Sequence, residues 1–169
     1  ILGELFTAIS NKQVIEIHYH KFAAPDEVLI HNLHPYLLKE YNSRWFLVAA
    51  SEKDEKLLTF ALDRIDKVTP LPSHKYVDCD DDISEMYEEI IGVTYYDDAP
   101  LCNIYFWTSD GAKDYVLTKP LHSSQVRVKN IAKNEEFRKR YPTLENGQIF
   151  KIVCKFNYEL IRELSSYGK

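Results

Sequence analysis

The chain has 169 residues, of which 45% are hydrophobic and 28% are charged, a composition typical of a globular protein with one core or two small ones. No apolar run approaches the length that a transmembrane helix needs, so we expect no membrane partner. Three cysteines, Cys79, Cys102 and Cys154, are odd in number and widely spaced, which fits neither a disulfide framework nor a zinc site. They predict a reducing, cytoplasmic location.

The net charge of -5 is unevenly distributed. Residues 1–72 hold 8 basic and 10 acidic side chains, residues 73–92 hold 1 and 7, and residues 93–169 hold 12 and 9. Because the negative charge is concentrated in one short segment, the overall acidity does not exclude an anionic ligand. The chain opens at Ile1 without a secretory leader, and we expect it to be a fragment of a longer protein.

The first seventy residues predict one helix followed by short strands. Apolar residues recur at helical spacing over residues 1–10. Alternating or aromatic-rich runs then predict strands at residues 14–19, 28–38, 45–50, 57–62 and 65–68. Pro35 cannot donate to a strand ladder, so we expect it at a bulge or an edge. This element order predicts a small SH3-like or Sm-like barrel.

The strand at residues 45–50 and its partner at 57–62 form the predicted central hairpin. Side chains alternate along a strand, which places Trp45, Leu47 and Ala49 on one face and Arg44, Phe46 and Val48 on the other. We interpret Trp45 and Leu47 as core residues. The opposite face displays an arginine beside an aromatic ring, which is a surface for stacking and anion binding.

Four segments together resemble the WYL domain, a small barrel-like sensor module of bacterial transcription regulators. They are RWFLVA (44–49), FALDRI (60–65), IEIHY (15–19) and LHPYLL (33–38), and the resemblance covers residues 14–71. Trp45-Phe46-Leu47 stands where the family usually has Trp-Tyr-Leu, which removes a phenolic hydroxyl. The resemblance implies the same barrel fold that the strand pattern predicts.

Residues 73–92 are predicted to be an acidic linker with a helix. Asp82 as N-cap and Glu85 three residues later form a capping-box-like start, and Gly92 is a suitable stop. This acidic start suits the helix dipole better than it suits a calcium loop, since the spacing lacks the required glycine and distal glutamate.

Residues 93–169 are predicted to form a β-α-β-β-α unit. The expected elements are a strand at 102–107, a helix at 111–118, strands at 126–131 and 148–156, and a helix that Asn157 caps and Gly168 ends. This order is a ferredoxin-like arrangement that lacks its last strand. Together with residues 120–125 (PLHSSQ), it resembles the C-terminal extension that commonly follows WYL domains.

The best candidates for a binding site are Arg44 and Arg64. A guanidinium offers a fork of donors to phosphate and stacks on aromatic or base faces. The alternative is a salt bridge from Arg64 to Asp63 or Asp66. The resemblance implies that the arginine of the Asp-Arg-Ile motif contacts the ligand. The predicted ligand-binding set is Tyr19, His34, Arg44, Phe46, Arg64 and Arg127.

Neither a metal site nor catalysis is predicted. His18 and His20 are two residues apart and His31 and His34 three, but no motif completes a tetrahedral set. No nucleophile elbow, phosphate loop or dinucleotide turn is present. The basic run at 138–141 indicates either a solvated face or a secondary nucleic-acid contact. We therefore predict a non-enzymatic protein without a cofactor.

These observations favour the ligand-sensing and dimerisation region of a bacterial transcriptional regulator. The predicted effector is a nucleotide or a single-stranded nucleic acid, and the region is expected to be a homodimer. The resemblance implies a helix-turn-helix before residue 1 that binds operator DNA. The alternative is a protein-interaction or self-assembly module without a small ligand.

Overall fold

Antiparallel sheets and short helices make up the protein, which confirms the predicted α+β class. The computed structural model describes residues 1–53, 55–129, 131–144 and 146–166. The chain divides into two units, residues 1–86 and 87–169. The domain limits placed at residues 72 and 92 from the sequence stay predictions.

The first unit holds one helix and a five-stranded antiparallel sheet. Its elements are α1 (Leu2–Ser10), β1 (Ile15–Lys21), β2 (Ala24–Tyr41), β3 (Arg44–Ser51), β4 (Leu57–Ala61), a 3-10 helix (Leu62–Arg64) and β5 (Ile65–Pro70). The strand order is β4-β3-β2-β1-β5. The sequence predicted each of these strands, although β2 is considerably longer than residues 28–38. The more specific assignment of this unit as an SH3-like or Sm-like barrel stays a prediction.

Pro35 lies at a bulge, as the sequence predicted. The register between β2 and β3 shifts between Pro35 and Leu37, where a residue without an N–H donor interrupts the ladder least. A bulge bends its strand, so one long strand can pair with β1 along one part and with β3 along the other.

The core of the first unit lies between α1 and one face of the sheet. Its buried members are Leu5, Ala8, Ile15, Ile17, Tyr19, Leu33, Leu47, Ala49, Phe60 and Ile65. Each fully buried aliphatic side chain stabilises the fold by about 1.5–3 kcal/mol. Leu47 and Ala49 therefore occupy the core positions that the alternation predicted.

Trp45 is not a core residue, and that prediction is wrong. It is 40% exposed and pairs with Glu40 at the start of β3. The preceding turn, Asn42-Ser43, has positive φ at both residues, which is the geometry of a tight two-residue hairpin. Trp45 is therefore close to the exposed end of the hairpin, although its position in the alternation matches that of Leu47.

The second unit holds a three-stranded antiparallel sheet of order β6-β8-β7. Its elements are β6 (Leu101–Ser109), α3 (Lys113–Thr118), β7 (Val126–Arg127), α4 (Ile131–Arg140), β8 (Gly147–Lys155) and α5 (Tyr158–Ser166), while α2 (Ile83–Glu88) crosses the division between the units. The ferredoxin-like assignment and its missing last strand stay predictions. The predicted helix end at Gly168 lies outside the described residues.

Two predictions for this unit are wrong. The strand expected at residues 126–131 contains only Val126–Arg127, and the unpredicted helix α4 (Ile131–Arg140) precedes β8. Most of the α4 sequence, IAKNEEFRKR, is charged or polar, so the apolar stripe that identifies a helix is weak.

Both predicted caps are confirmed. The N–H of Glu85 donates to Asp82 Oδ1 at 3.1 Å, and the N–H of Leu160 donates to Asn157 Oδ1 at 2.9 Å. Caps are read correctly from sequence because they depend on residues three positions apart. No helix in the described part of the chain is long and apolar enough to cross a membrane.

Candidate ligand-binding site

Arg64 lies against two aromatic rings of the first unit. It ends the 3-10 helix between β4 and β5, and the β1–β5 pairing places Tyr19 opposite the next residue, Ile65. The guanidinium carbon lies 5.1 Å from the ring centroid of Tyr19 and 4.9 Å from that of Phe22. Both distances are in the range of cation–π attraction.

The Arg64 guanidinium has unused donor capacity. Its Nε is buried and has no hydrogen-bond partner among the described residues. A buried donor without a partner costs free energy, about 1–3 kcal/mol in typical cases. This Nε is closed to solvent, so an anion would meet the rest of the half-buried Arg64 side chain, whose charge favours binding of an anion.

The alternative interpretation of Arg64, a salt bridge to Asp63 or Asp66, is not observed within the described part of the chain. Asp63 instead lies 3.7 Å from Arg44 Nη1, and Asp66 lies 3.2 Å from His20 Nδ1. Both acidic neighbours therefore have other partners, and the Arg64 guanidinium contacts aromatic faces.

Tyr19 forms the buried wall of this site. Its ring packs edge-on against Phe60 with centroids 5.1 Å apart. Burial raises the pKa of the Tyr19 phenol, an effect that the nearby charge of Arg64 partly opposes. The phenol is thus neutral near pH 7, and Tyr19 supplies a ring face and a hydroxyl rather than a charge.

His31 belongs to the same aromatic group, which sequence reasoning missed. Its ring lies 5.1 Å from Phe60 and 6.5 Å from Tyr19. Burial lowers the pKa of His31, and the charge of Lys21 lowers it further. The available signal was the short β1–β2 turn, which sets the register and puts His31 on the face that Tyr19 uses.

Phe22 was also missed, because it lies in the β1–β2 turn outside the periodic strand. It is 63% exposed, so one of the two rings against Arg64 is open to solvent. We define the aromatic–arginine cluster as Tyr19, Phe22, His31, Phe60 and Arg64. The only sequence signal for Phe22 was an aromatic residue in a turn.

Arg44 and Phe46 contact the segment that precedes Arg64. Arg44 is 57% exposed and its ion pair with Asp63 joins it to the residue preceding Arg64. Phe46 is half-buried and pairs with Ala61 at the end of β4. A surface ion pair of this kind contributes little stability, so Arg44 can exchange its carboxylate for a ligand phosphate at small cost.

His34 and Arg127 lie outside the cluster. His34 is buried, and its Nδ1 accepts a hydrogen bond from the N–H of Val77 at 3.3 Å. Its ring packs edge-on against Tyr76, so it helps to hold the segment after β5. Arg127 belongs to the second unit, where both of its guanidinium contacts, at 2.8 and 3.0 Å, are to Gln148 Oε1.

A second concave feature is an apolar groove between α1 and the β2–β3 hairpin. Its volume is about 610 Å³ and its lining residues are Leu2, Gly3, Phe6, Ile9, Tyr36, Leu37, Leu38 and Trp45. The groove has almost no polar lining. It suits apolar contact and not an anion.

The histidine pairs do not form metal clusters. Within the described residues, no group of three or more His, Cys, Asp or Glu side chains could hold a metal ion. His18 Nε2 instead lies 3.3 Å from Glu16 Oε1, and His20 contacts Asp66 as described above. Each of these histidines has one carboxylate partner.

Comparison with known proteins gives a match over the first unit. The family model of the WYL domain matches residues 1–70. Among solved structures, proteasome accessory factor B/C (PafBC) of Arthrobacter aurescens is similar, with 14% sequence identity and a TM-score of 0.41. The similarity covers 99% of this chain and 23% of that chain. No curated protein sequence matches this chain.

Proposed function

We propose that the chain, whose residues 1–70 match the WYL-domain family model, is the ligand-sensing and dimerisation region of a bacterial transcriptional regulator. The proposed effector is a nucleotide or a short single-stranded nucleic acid, bound at the aromatic–arginine cluster. A helix-turn-helix region elsewhere in the regulator would contact operator DNA. The role is regulatory and not catalytic.

One observation carries this proposal: the half-buried side chain of Arg64 lies with its guanidinium against the exposed ring of Phe22. Single-stranded nucleic acids are bound by cations that meet the phosphates and by aromatic rings that stack on bases. The cluster brings both together from separate segments of the chain. Arg44 adds a second cation at the surface, where it forms an ion pair with Asp63.

Ligand binding would act as a population shift. The effector would bind one arrangement of the dimer more tightly than the other and so change the spacing of the DNA-binding regions. Binding with equal affinity to both arrangements would have no regulatory effect.

The test is a fluorescence-anisotropy titration of the chain with labelled single-stranded DNA and RNA oligonucleotides and cyclic nucleotides. Arg64→Ala should weaken binding about 10- to 100-fold, because charge-assisted hydrogen bonds contribute roughly 1.5–3 kcal/mol. Arg162→Ala is the matched control, since Arg162 is exposed on α5 of the second unit. The control should bind like the unmodified chain.

Salt dependence provides a second readout. If two cations neutralise phosphates, affinity should fall about sevenfold between roughly 50 and 200 mM salt. The Arg64→Ala variant should show a shallower slope. Unfolding of this variant, measured by circular dichroism, would make Arg64 structural and would remove the proposed site.

A self-assembly module without a small ligand is the second candidate function. The apolar groove favours it, because Leu2, Phe6 and Trp45 expose contiguous apolar surface. Such patches often mark protein interfaces. The exposed apolar residues of α1 and β3 could pack against the same residues of a second copy across a twofold axis.

Sedimentation velocity distinguishes the two candidates. Phe6→Ser should convert dimer to monomer if the groove joins two copies, while Phe156→Ser, an exposed phenylalanine of the second unit, should not. Dimerisation without binding of any oligonucleotide or cyclic nucleotide would support the self-assembly function over the sensor function.

A further inference from the structure

Two of the three cysteines lie directly opposite each other in the second sheet. In the β6–β8 pairing, Cys102 is the partner of Cys154, and the register continues without a shift from Leu101↔Lys155 to Ser109↔Gly147. Directly opposite residues of an antiparallel pair point to the same face of the sheet. All three cysteines are free thiols in this structure.

This position matches the geometry of a disulfide. Opposite Cα atoms of an antiparallel pair are about 4.5–5.5 Å apart, and disulfides join Cα atoms that are about 4.4–6.8 Å apart. The Cβ atoms of such a pair are about 4.5–5.5 Å apart and those of a disulfide about 3.5–4.5 Å apart. A bond between Cys102 and Cys154 therefore requires rotation of the side chains and a small local approach of the two strands.

The two thiols differ in access. Cys102 is partly exposed on β6, which is an edge strand of the three-stranded sheet, and its Sγ lies 3.4 Å from the Pro100 carbonyl oxygen. Cys154 is fully buried on the central strand β8. Burial raises the pKa of the Cys154 thiol to about 11, and the neighbouring Cys102 contributes to the shift. Cys102 is therefore the thiol that a dissolved oxidant reaches first.

We propose that Cys102 and Cys154 are a reversible thiol–disulfide pair that responds to hydroperoxides. The Cys102 thiolate attacks a peroxide oxygen, the O–O bond breaks, and hydroxide or alkoxide leaves to give a sulfenic acid. The Cys154 thiolate then attacks the Cys102 sulfur, forming the S–S bond and expelling hydroxide. In sum, two thiols and one hydrogen peroxide give one disulfide and two waters.

The proximity of the two residues compensates for the low acidity of Cys154. Attack within one folded molecule has a high effective concentration, so a small thiolate fraction suffices for the second step. The bond would fasten the edge strand β6 to the central strand β8 and close the chain segment that contains α3, β7 and α4. Closing a long loop lowers the entropy of the unfolded chain, so the oxidised protein should melt at a higher temperature.

Peptide mapping after peroxide treatment tests the proposal. Trypsin leaves Cys79 and Cys102 on one peptide, residues 76–113, while Cys154 falls on residues 152–155. The experiment therefore uses the Cys79→Ser variant of the full chain. After treatment with hydrogen peroxide and alkylation, we expect the mass of the single polypeptide to be lower by two hydrogens, with no covalent link between chains. Peptides 76–113 and 152–155 should be linked, and dithiothreitol should reverse the link.

Two further variants identify the order of reaction. In Cys102→Ser, the linked peptide should be absent and the Cys154 thiol should be lost much more slowly than Cys102 is, because Cys154 is fully buried and burial raises its pKa. In Cys154→Ala, which keeps a small apolar side chain in the core, Cys102 should give a sulfenic acid that dimedone traps.

Three results would overturn the proposal. They are a disulfide between two chains, sulfinic acid at Cys102 with Cys154 still free, or equal loss of the Cys154 thiol in the presence and absence of Cys102. The mapping in the Cys79→Ser background decides the question even if substitution of the buried Cys154 prevents folding.

Discussion

The guanidinium carbon of Arg64 lies 4.9 Å from the ring centroid of Phe22, whose side chain is 63% exposed. A cation against a solvent-exposed ring is a geometry in which a ligand can add both stacking and charge. Phe22 reaches this place from the β1–β2 turn, and Arg64 from the 3-10 helix before β5. The pairing of β1 with β5 brings the two together.

The first prediction concerns the exposed ring. Phe22→Ser should weaken binding of labelled single-stranded oligonucleotides about 5- to 100-fold, because stacking contributes about 1–3 kcal/mol per base. The free energy of unfolding should change by less than about 0.5 kcal/mol, since an exposed side chain buries little surface. Anisotropy titration and urea unfolding measure the two effects. An equal loss of affinity in Phe156→Ser would show that Phe22 has no specific role.

The second prediction is a pH dependence that comes from His31. Burial, aided by Lys21, lowers the pKa of His31 in the folded state, so the unfolded chain binds the proton more readily. Its contribution is fully present above the unfolded pKa of about 6.5 and is lost as the pH falls below that value. We expect the urea midpoint of the unmodified chain to decrease more between about pH 7.5 and 5 than that of His31→Phe. Parallel curves for the two proteins would contradict this role, because the other histidines are common to both.

The third prediction concerns the core of the first unit. Leu47→Ala should lower the free energy of unfolding of this unit by about 2–5 kcal/mol, because Leu47 is fully buried in the core cluster and its truncation leaves a cavity. Leu117→Ala is the control, since Leu117 is an exposed leucine of α3, and it should cost about 1 kcal/mol or less. Chemical denaturation followed by circular dichroism, which reports on both units, measures the difference. A similar cost for both variants would mean that the core is placed incorrectly.

The fourth prediction concerns Asn157, which is buried in the second unit. Its Nδ2 donates to the carbonyl oxygens of Ile91 and Thr94 at 2.7 and 3.0 Å, and its Oδ1 caps α5. Asn157→Ala removes these bonds and leaves buried carbonyl groups unpaired, so it should cost about 2–4 kcal/mol. Asp82→Ala removes an exposed cap with one bond and should cost about 1 kcal/mol. Thermal denaturation followed by circular dichroism compares them, and equal costs would contradict the additional role of Asn157.

Local patterns in the sequence predicted much of this protein. The alternation in IEIHYHK and RWFLVAA identified β1 and β3, the caps at Asp82 and Asn157 marked two helix starts, and Pro35 indicated a bulge. The motif segments also led to the WYL domain that matches residues 1–70. Each signal depends on residues a few positions apart, because backbone preference, capping and the two-residue strand period are local properties.

The tertiary structure alone decided which side chains meet. Arg64 takes Phe22 as a neighbour rather than Asp63 or Asp66, Trp45 is exposed although Leu47 is buried, and Cys102 lies opposite Cys154. These relationships follow from strand register, and register is selected by the burial of a whole face together with the geometry of the turns. No single segment contains that information. Composition and residue spacing therefore determined the helices and strands, and the pairing of the strands determined which residues form the sites.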